Sequence, residues 1–236
     1  AEALGGFGAA AAEQLEELTD KYVALYIEEE LGGFEGRSAR FAYLFRRLGD
    51  GVRRVVADMA AELRDSEFRP IGFELDFSAL AAPRTLPDGS MLTLSGIADR
   101  VDGWIHNGRL YLRVVDYKTG KKSFSLSDVY YGLGLQMLLY LFSLTDAAPE
   151  LYSYEAVPAG VLYVPARDVL VSAQSDLTDG EIAEKRRDAL RRSGLLINDA
   201  EVLGAMEPAG SGVRLPVKWK DGAPSGESLA TAEQMG

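Results

Sequence analysis

The dipeptide Asn107-Gly108 constrains this chain more than any other feature. It stands between two runs that read as strands, Met91 to Ala98 and Leu110 to Tyr117. Asn-Gly in that setting is the strongest short-range signal for a two-residue hairpin turn. Such a loop sets His106 against Arg109. Carried along both strands, the same register sets Asp99 directly against Asp116. Directly opposed residues share a face with Cβ atoms about 4.5–5.5 Å apart, and residues two apart on one strand point the same way. Asp99, Asp116 and Lys118 are therefore expected within one small area.

Two opposed carboxylates repel, and the apolar neighbours Leu112, Val114 and Val115 sharpen the cost by desolvation. A proton or a cation has to compensate. A hard divalent cation, Mg²⁺ or Mn²⁺, suits one or two carboxylates completed by water and phosphate oxygens. Lys118 adds a point positive charge beside it. This equipment suits phosphoryl chemistry, with the metal as Lewis acid and the lysine on developing negative charge. The plainer reading makes Asp99 and Asp116 strand-end acids in ordinary ion pairs with Arg100 and Lys118. Three features favour a site. Gly96 permits a close approach three residues before Asp99. Thr119-Gly120-Lys121-Lys122 makes a small basic loop after Lys118. Gln136 and Tyr140 stand at i, i+4 on one face of an otherwise apolar run.

The rest of the chain supplies a frame. Leu15, Leu18, Tyr22 and Leu25 mark a helix over Ala9 to Glu30, ended by Gly32, Gly33 and Gly36, and a second amphipathic helix runs from Phe41 to about Leu63. Ile71, Phe73, Leu75 and Phe77 alternate with polar residues or glycine as a half-buried strand. Val129 to Leu144 reads as one buried helix, Val157 to Val164 as a strand, Asp179 to Ser193 as a charged helix and Glu201 to Met206 as a short one. The pattern predicts an α/β fold with a mixed central sheet flanked by helices. One domain is expected overall, with residues 1–66 a helical segment packed on a core of residues 67–236.

Composition removes several classes. Among 236 residues there is no cysteine and one histidine, His106, which excludes a disulfide framework, a thiolate metal site and a cluster of imidazoles. Any metal chemistry must use oxygen ligands. No apolar run approaches the ~20 residues of a membrane span. No charged and apolar leader opens the chain, which predicts no signal peptide, and the missing initiator Met suggests a trimmed chain or a piece of a longer one. A cysteine-free chain suits a reducing, cytoplasmic setting. The net charge is −11, from 25 basic and 36 acidic residues. That argues against a uniformly basic nucleic-acid binder while leaving room for a local basic groove.

The segment Ser95-Gly96-Ile97-Ala98-Asp99-Arg100-Val101-Asp102 resembles the Gly-x-Ile-Asp-Arg segment of RecB-type nucleases. Val114-Val115-Asp116-Tyr117-Lys118-Thr119-Gly120 resembles their Asp-Tyr-Lys-Thr/Ser segment, the core of the PD-(D/E)XK nuclease fold. Gln136-Met137-Leu138-Leu139-Tyr140 is similar to their Gln-x-x-x-Tyr helix. The wider run Val129 to Gln136, with Pro70 to Glu74 and Ser193 to Met206, more closely resembles the AddB subunits of bacterial AddAB helicase–nucleases. The set at this spacing is far more specific than any one motif.

The resemblance implies a Mg²⁺-dependent exonuclease domain acting on DNA in break processing and recombinational repair, with an AddA-like helicase as partner and no membrane association. It implies that Asp99, Asp116 and the Tyr117 carbonyl hold the metal and that Lys118 positions or activates water. Gln136 and Tyr140 would support the site or touch DNA, and Glu74 would be the upstream acid. Two features depart from the family. No histidine precedes this region on a helix, since His106 falls in the hairpin turn. The four cysteines of the AddB iron–sulfur cluster are also missing, so that cluster is expected only in a longer parent protein. Arg100, Arg113, Lys121 and Lys122 flank the expected site as DNA-backbone contacts. Tyr130 and Tyr131 read either as base-stacking residues or, just as readily, as core and rim packing of an apolar helix. Lys185, Arg186, Arg187, Arg191 and Arg192 read more simply as a solvated helix face. The reading from another class is a catalytically silent module of the same fold that contacts DNA or a helicase partner.

Overall fold

In the computed structural model, which describes residues 12–78, 80, 84–120, 122–167, 178–208 and 212–235, the hairpin organises the molecule. Asn107 and Gly108 take φ of 49° and 75°, the left-handed pair that a type I′ turn requires. They join β4 (Ile97–His106) to β5 (Arg109–Lys118). The register runs from His106 opposite Arg109 to Arg100 opposite Val115 without a slip.

Four further strands complete a six-stranded sheet. They are β1 (Arg69–Asp76), β6 (Ala156–Pro165), β7 (Ser193–Ile197) and β10 (Leu229–Ala230), and the spatial order is β1-β4-β5-β6-β7-β10. The sheet is mixed: β1–β4, β4–β5 and β6–β7 are antiparallel, whereas β5–β6 and β7–β10 are parallel. Two short hairpins lie outside it, β2 (Arg84–Thr85) with β3 (Met91–Leu92), and β8 (Lys218–Lys220) with β9 (Ala223–Ser225). The strand expected over Met91 to Ala98 is thus divided: its ends belong to different sheets.

Each face of the sheet has its own core. On the front, Val101, Leu112, Val114, Val161 and Tyr163 pack against α4 (Gln136–Tyr152) through Met137, Tyr140, Leu141 and Leu144. On the back, Trp104, Val115, Leu162, Val164 and Leu196 pack against α6 (Ala200–Met206) through Val202, Leu203 and Met206. Burial on both faces explains why the inner strands read as nearly continuous apolar runs.

The N-terminal pair is α1 (Ala12–Leu31) and α2 (Ala39–Asp65), which meet through Leu15, Val56 and Ala60. The end of α2 reaches the sheet with Glu62 and Leu63, both buried. The expected single helix from Val129 to Leu144 is instead α3 (Leu126–Tyr130), a turn, and then α4. Gly132 and Gly134 take left-handed φ of 81° and 70° in that turn, which helical backbone does not accommodate. The charged helix expected over Asp179 to Ser193 is α5 (Asp179–Ala189), and Ser193 opens β7. A last short helix is α7 (Ala232–Met235). Among the described residues no helix is long and apolar enough to cross a membrane.

Candidate active site

Strand alternation decides what each residue of the hairpin can reach. Asp99 and Asp116 lie one step beyond the last paired residues, Arg100 and Val115. They continue the front-facing series of Val101 and Val114. Their neighbours Arg100 and Tyr117 continue the back-facing one. Asp116 also lies beside Tyr163 on β6, and Lys118 beside Pro165. The acids therefore stand where β5 and β6 end in the same direction.

The backbone N–H of Tyr117 donates to Asp99 Oδ2 at 2.7 Å, which fixes one carboxylate. The Lys118 ammonium lies 2.6 Å from Asp116 Oδ2 and fixes the other. Burial pushes the Asp116 carboxyl above its ordinary value. The Lys118 ammonium opposes that shift, and the negative charge of Asp99 adds to it. The Lys118 ammonium is itself held above its ordinary value by its hydrogen bond to Asp116. Two acids, one of them reluctant to ionise, share this corner with the Lys118 ammonium, and Lys122 adds a further positive charge that favours ionised Asp116.

Tyr163 is a site residue that sequence reasoning missed. Lys118 and Lys122 place their ammonium groups 6.0 and 5.7 Å from the centre of its ring, within cation–π range. Its phenol is pushed up by burial and by Asp116. No local signal marks it, because β5 and β6 are parallel strands joined by a long crossover that leaves their register free.

Gln136 and Tyr140 are joined to each other at the start of α4. The Gln136 amide donates to the Tyr140 hydroxyl at 2.7 Å. The Tyr140 ring stacks on Phe77 with centroids 4.3 Å apart. Gly96 has the close approach expected of it, and the approaching group is the Tyr140 side chain.

The DNA-contact expectations divide. Arg100 and Arg113 are corrected: both are fully buried. Being next to Asp99 on a strand, Arg100 has to point away from the face that Asp99 uses. The hairpin register carried a usable signal, since it also opposes Asp102 to Arg113. Arg192 is likewise buried, bound to Asp58 and Glu62 at 2.6 and 2.7 Å, so it is no part of a solvated helix face. Lys122 is exposed at the site, and Lys121 lies outside the described residues. Tyr130 and Tyr131 are 84% and 78% exposed, so the turn after α3 presents them to solvent.

The remaining acid lies on the strand beside Asp99, and the histidine at the far end of the hairpin. The pairs Phe73–Arg100 and Leu75–Ala98 set Glu74 level with Asp99 on the neighbouring strand, with Glu74 at φ 47°. Among the described residues no group of three or more His, Cys, Asp or Glu side chains is placed to hold a metal ion. His106 stacks on Trp104, with Nε2 3.0 Å from Glu201 Oε1. Asp99 and Asp116 nevertheless offer two oxygen-donor carboxylates on one face, one of them destabilised by the other's charge. That donor set fits a hard divalent cation, which takes one or two carboxylates and fills its other positions with water and substrate oxygens.

The sequence model of the PD-(D/E)XK nuclease superfamily matches residues 2–207. The chain belongs to that superfamily. Among curated relatives, it is 36% identical over 227 residues to the AddB subunit of the ATP-dependent helicase/deoxyribonuclease from Clostridium acetobutylicum, covering 93% of this chain and 20% of that protein. It is 38% identical over 206 residues to the protein of the same name from Moorella thermoacetica, covering 84% and 18%. The Clostridium novyi protein is 36% identical over 215 residues, covering 88% and 19%. The chain thus spans about a fifth of the length of the curated relatives it matches.

Proposed function

We propose that this chain is a divalent-metal-dependent DNA nuclease domain of an AddB-like helicase–nuclease subunit, hydrolysing phosphodiester bonds during the processing of DNA breaks. The observation that carries the reading is the meeting of Asp99, Asp116 and Lys118 at one end of the β4–β5 hairpin, each carboxylate already held by a named donor. The names of the relatives support the broader assignment. A cytoplasmic setting and an AddA-like helicase partner accompany it.

On this reading Asp99, Asp116 and the Tyr117 carbonyl hold Mg²⁺ or Mn²⁺. When bound, the metal supplies Lewis-acid activation of the phosphate and lowers the pKa of a coordinated water. The protein's own groups do the rest. The Tyr117 N–H orients Asp99. Lys118 holds a charge beside Asp116, ready to place the attacking water or to meet negative charge growing on a phosphate oxygen. The water oxygen bonds to phosphorus as one P–O ester bond breaks, leaving a phosphate monoester and a free hydroxyl. Gln136, fixed by Tyr140, lines the approach. Lys122 supplies salt-dependent, sequence-independent attraction for the backbone, and Tyr130 a surface for unpaired bases.

The test is cleavage of single- and double-stranded DNA with Mg²⁺, comparing the chain with Asp116→Ala. Cleavage that needs the metal and vanishes in the variant supports the reading. Cleavage surviving Asp116→Ala would place the chemistry elsewhere. DNA binding with neither cleavage nor metal uptake would favour the silent-module alternative.

A further inference from the structure

Behind the acid pair, on the opposite face of the same two strands, lies a buried ionic cluster. Glu62 comes from α2, Arg100 and Asp102 from β4, Arg113 from β5, and Arg192 from the loop before β7. All five are at most 5% exposed. Glu62 Oε1 accepts from Arg100 at 2.9 Å and from Arg113 at 3.2 Å. Its other oxygen accepts from Arg192 at 2.7 Å. Asp102 Oδ2 accepts from Arg100 at 3.0 Å and from Arg113 Nη2 at 2.6 Å. Arg192 also donates to Asp58, which Arg214 approaches at 3.6 Å, so the buried cluster runs on into a chain of alternating charges.

One bond in this cluster adds no charge. Arg100 Nη1 donates to the Tyr117 hydroxyl at 2.7 Å, although two carboxylates already balance that guanidinium. The Tyr117 ring is also 5.6 Å from the Arg100 guanidinium carbon. Arg100 is the chain neighbour of Asp99, and Tyr117 that of Asp116. The two back-facing neighbours are therefore tied to each other at the level where the two front-facing acids repel. Tyr117 closes the loop, because its own N–H is the donor that holds Asp99.

We infer that Arg100 and Tyr117 are positioning residues, a clamp through which the buried cluster holds the two acids at the spacing a divalent cation needs. The inference rests on the nuclease reading above. Groups that orient ligands from behind are commonly worth about 10- to 100-fold in metal affinity or activity. Tyr117→Phe isolates the clamp, since it removes only a neutral hydroxyl and leaves the charge balance and the ring in place.

The experiment is calorimetric titration of Mn²⁺ into the chain, into Tyr117→Phe and into Leu203→Ala, with a urea unfolding midpoint for each. Leu203 is fully buried in the back core, and its truncation controls for lost stability alone. The expected result is about a tenfold or greater loss of Mn²⁺ affinity in folded Tyr117→Phe, with affinity kept in Leu203→Ala despite its lower midpoint. DNA cleavage by Tyr117→Phe should fall in kcat at limiting Mn²⁺ and recover at saturating Mn²⁺, with KM for DNA unchanged. Equal affinity in the chain and Tyr117→Phe overturns the clamp and leaves the nuclease reading standing. An equal loss in Leu203→Ala also overturns it, because instability would then explain the effect. No Mn²⁺ binding by the unsubstituted chain overturns both.

Discussion

Tyr140 occupies the space that a side chain at residue 96 would need. A Cβ on Gly96 would overlap the Tyr140 hydroxyl and come within 3.0 Å of its Cζ, at a backbone φ of +140° that side chains rarely adopt. Gly96→Ala must therefore push Tyr140 off Gln136 and out of its stack on Phe77. Overpacking of this kind costs about 1–3 kcal/mol. Urea unfolding should show that loss, and the double variant Gly96→Ala/Tyr140→Phe should recover part of it, because the two sites share one contact.

Glu62 makes stability sensitive to acid. Burial pushes its carboxyl up, but Arg113, Arg192 and Arg100 outweigh burial and hold it at about 2, against an ordinary 4.5. A carboxyl depressed on folding stabilises the protein above its unfolded value and loses that contribution as pH falls toward its folded one. The contribution is on the order of 3 kcal/mol at neutral pH and fades between about pH 4.5 and pH 2. Urea midpoints measured down that interval should decline steadily. Glu62→Gln should be destabilised by about 3–5 kcal/mol at neutral pH, since it leaves buried guanidinium groups uncompensated. Its midpoint should also depend less on pH across the same interval.

How much was legible follows from how local each constraint is. The Asn107-Gly108 turn fixes a register with no outside help, so the neighbourhood of Asp99, Asp116 and Lys118 could be read from the sequence. Gln136 and Tyr140 were legible for the same reason, as a pair one helical turn apart. Tyr163 was not, because a parallel partner's register is set by packing across a crossover. Arg100 misled through its chemistry: a cation beside an acid suggests a shared surface, yet alternation sends it to the back. The break between α3 and α4 was hidden by apolar composition around two glycines.

Tyr130 and Tyr131 stand out from the turn after α3, edge to face with ring centroids 5.3 Å apart. Side chains this exposed contribute little to folding, so Tyr130→Ala/Tyr131→Ala should shift stability by less than about 0.5 kcal/mol. Stacking on an unpaired base is worth about 1–3 kcal/mol by alanine substitution. Anisotropy titration with a labelled single-stranded oligonucleotide should therefore show at least a severalfold loss of affinity. Unchanged affinity would remove both tyrosines from the DNA surface.

Asp116 separates function from stability. Burial raises its carboxyl and the Asp99 charge raises it further, so that Lys118 offsets only part of the cost. A carboxyl raised on folding costs stability as pH rises from its unfolded value through its folded one. Asp116→Asn keeps the shape and removes the charge. Its unfolding midpoint at neutral pH should equal or exceed that of the unsubstituted chain, while metal affinity and DNA cleavage disappear. Such a trade is expected where an active site holds like charges together against their repulsion. A lower midpoint with cleavage intact would instead make the Asp116–Lys118 pair a structural ion pair and return the two acids to the plainer reading.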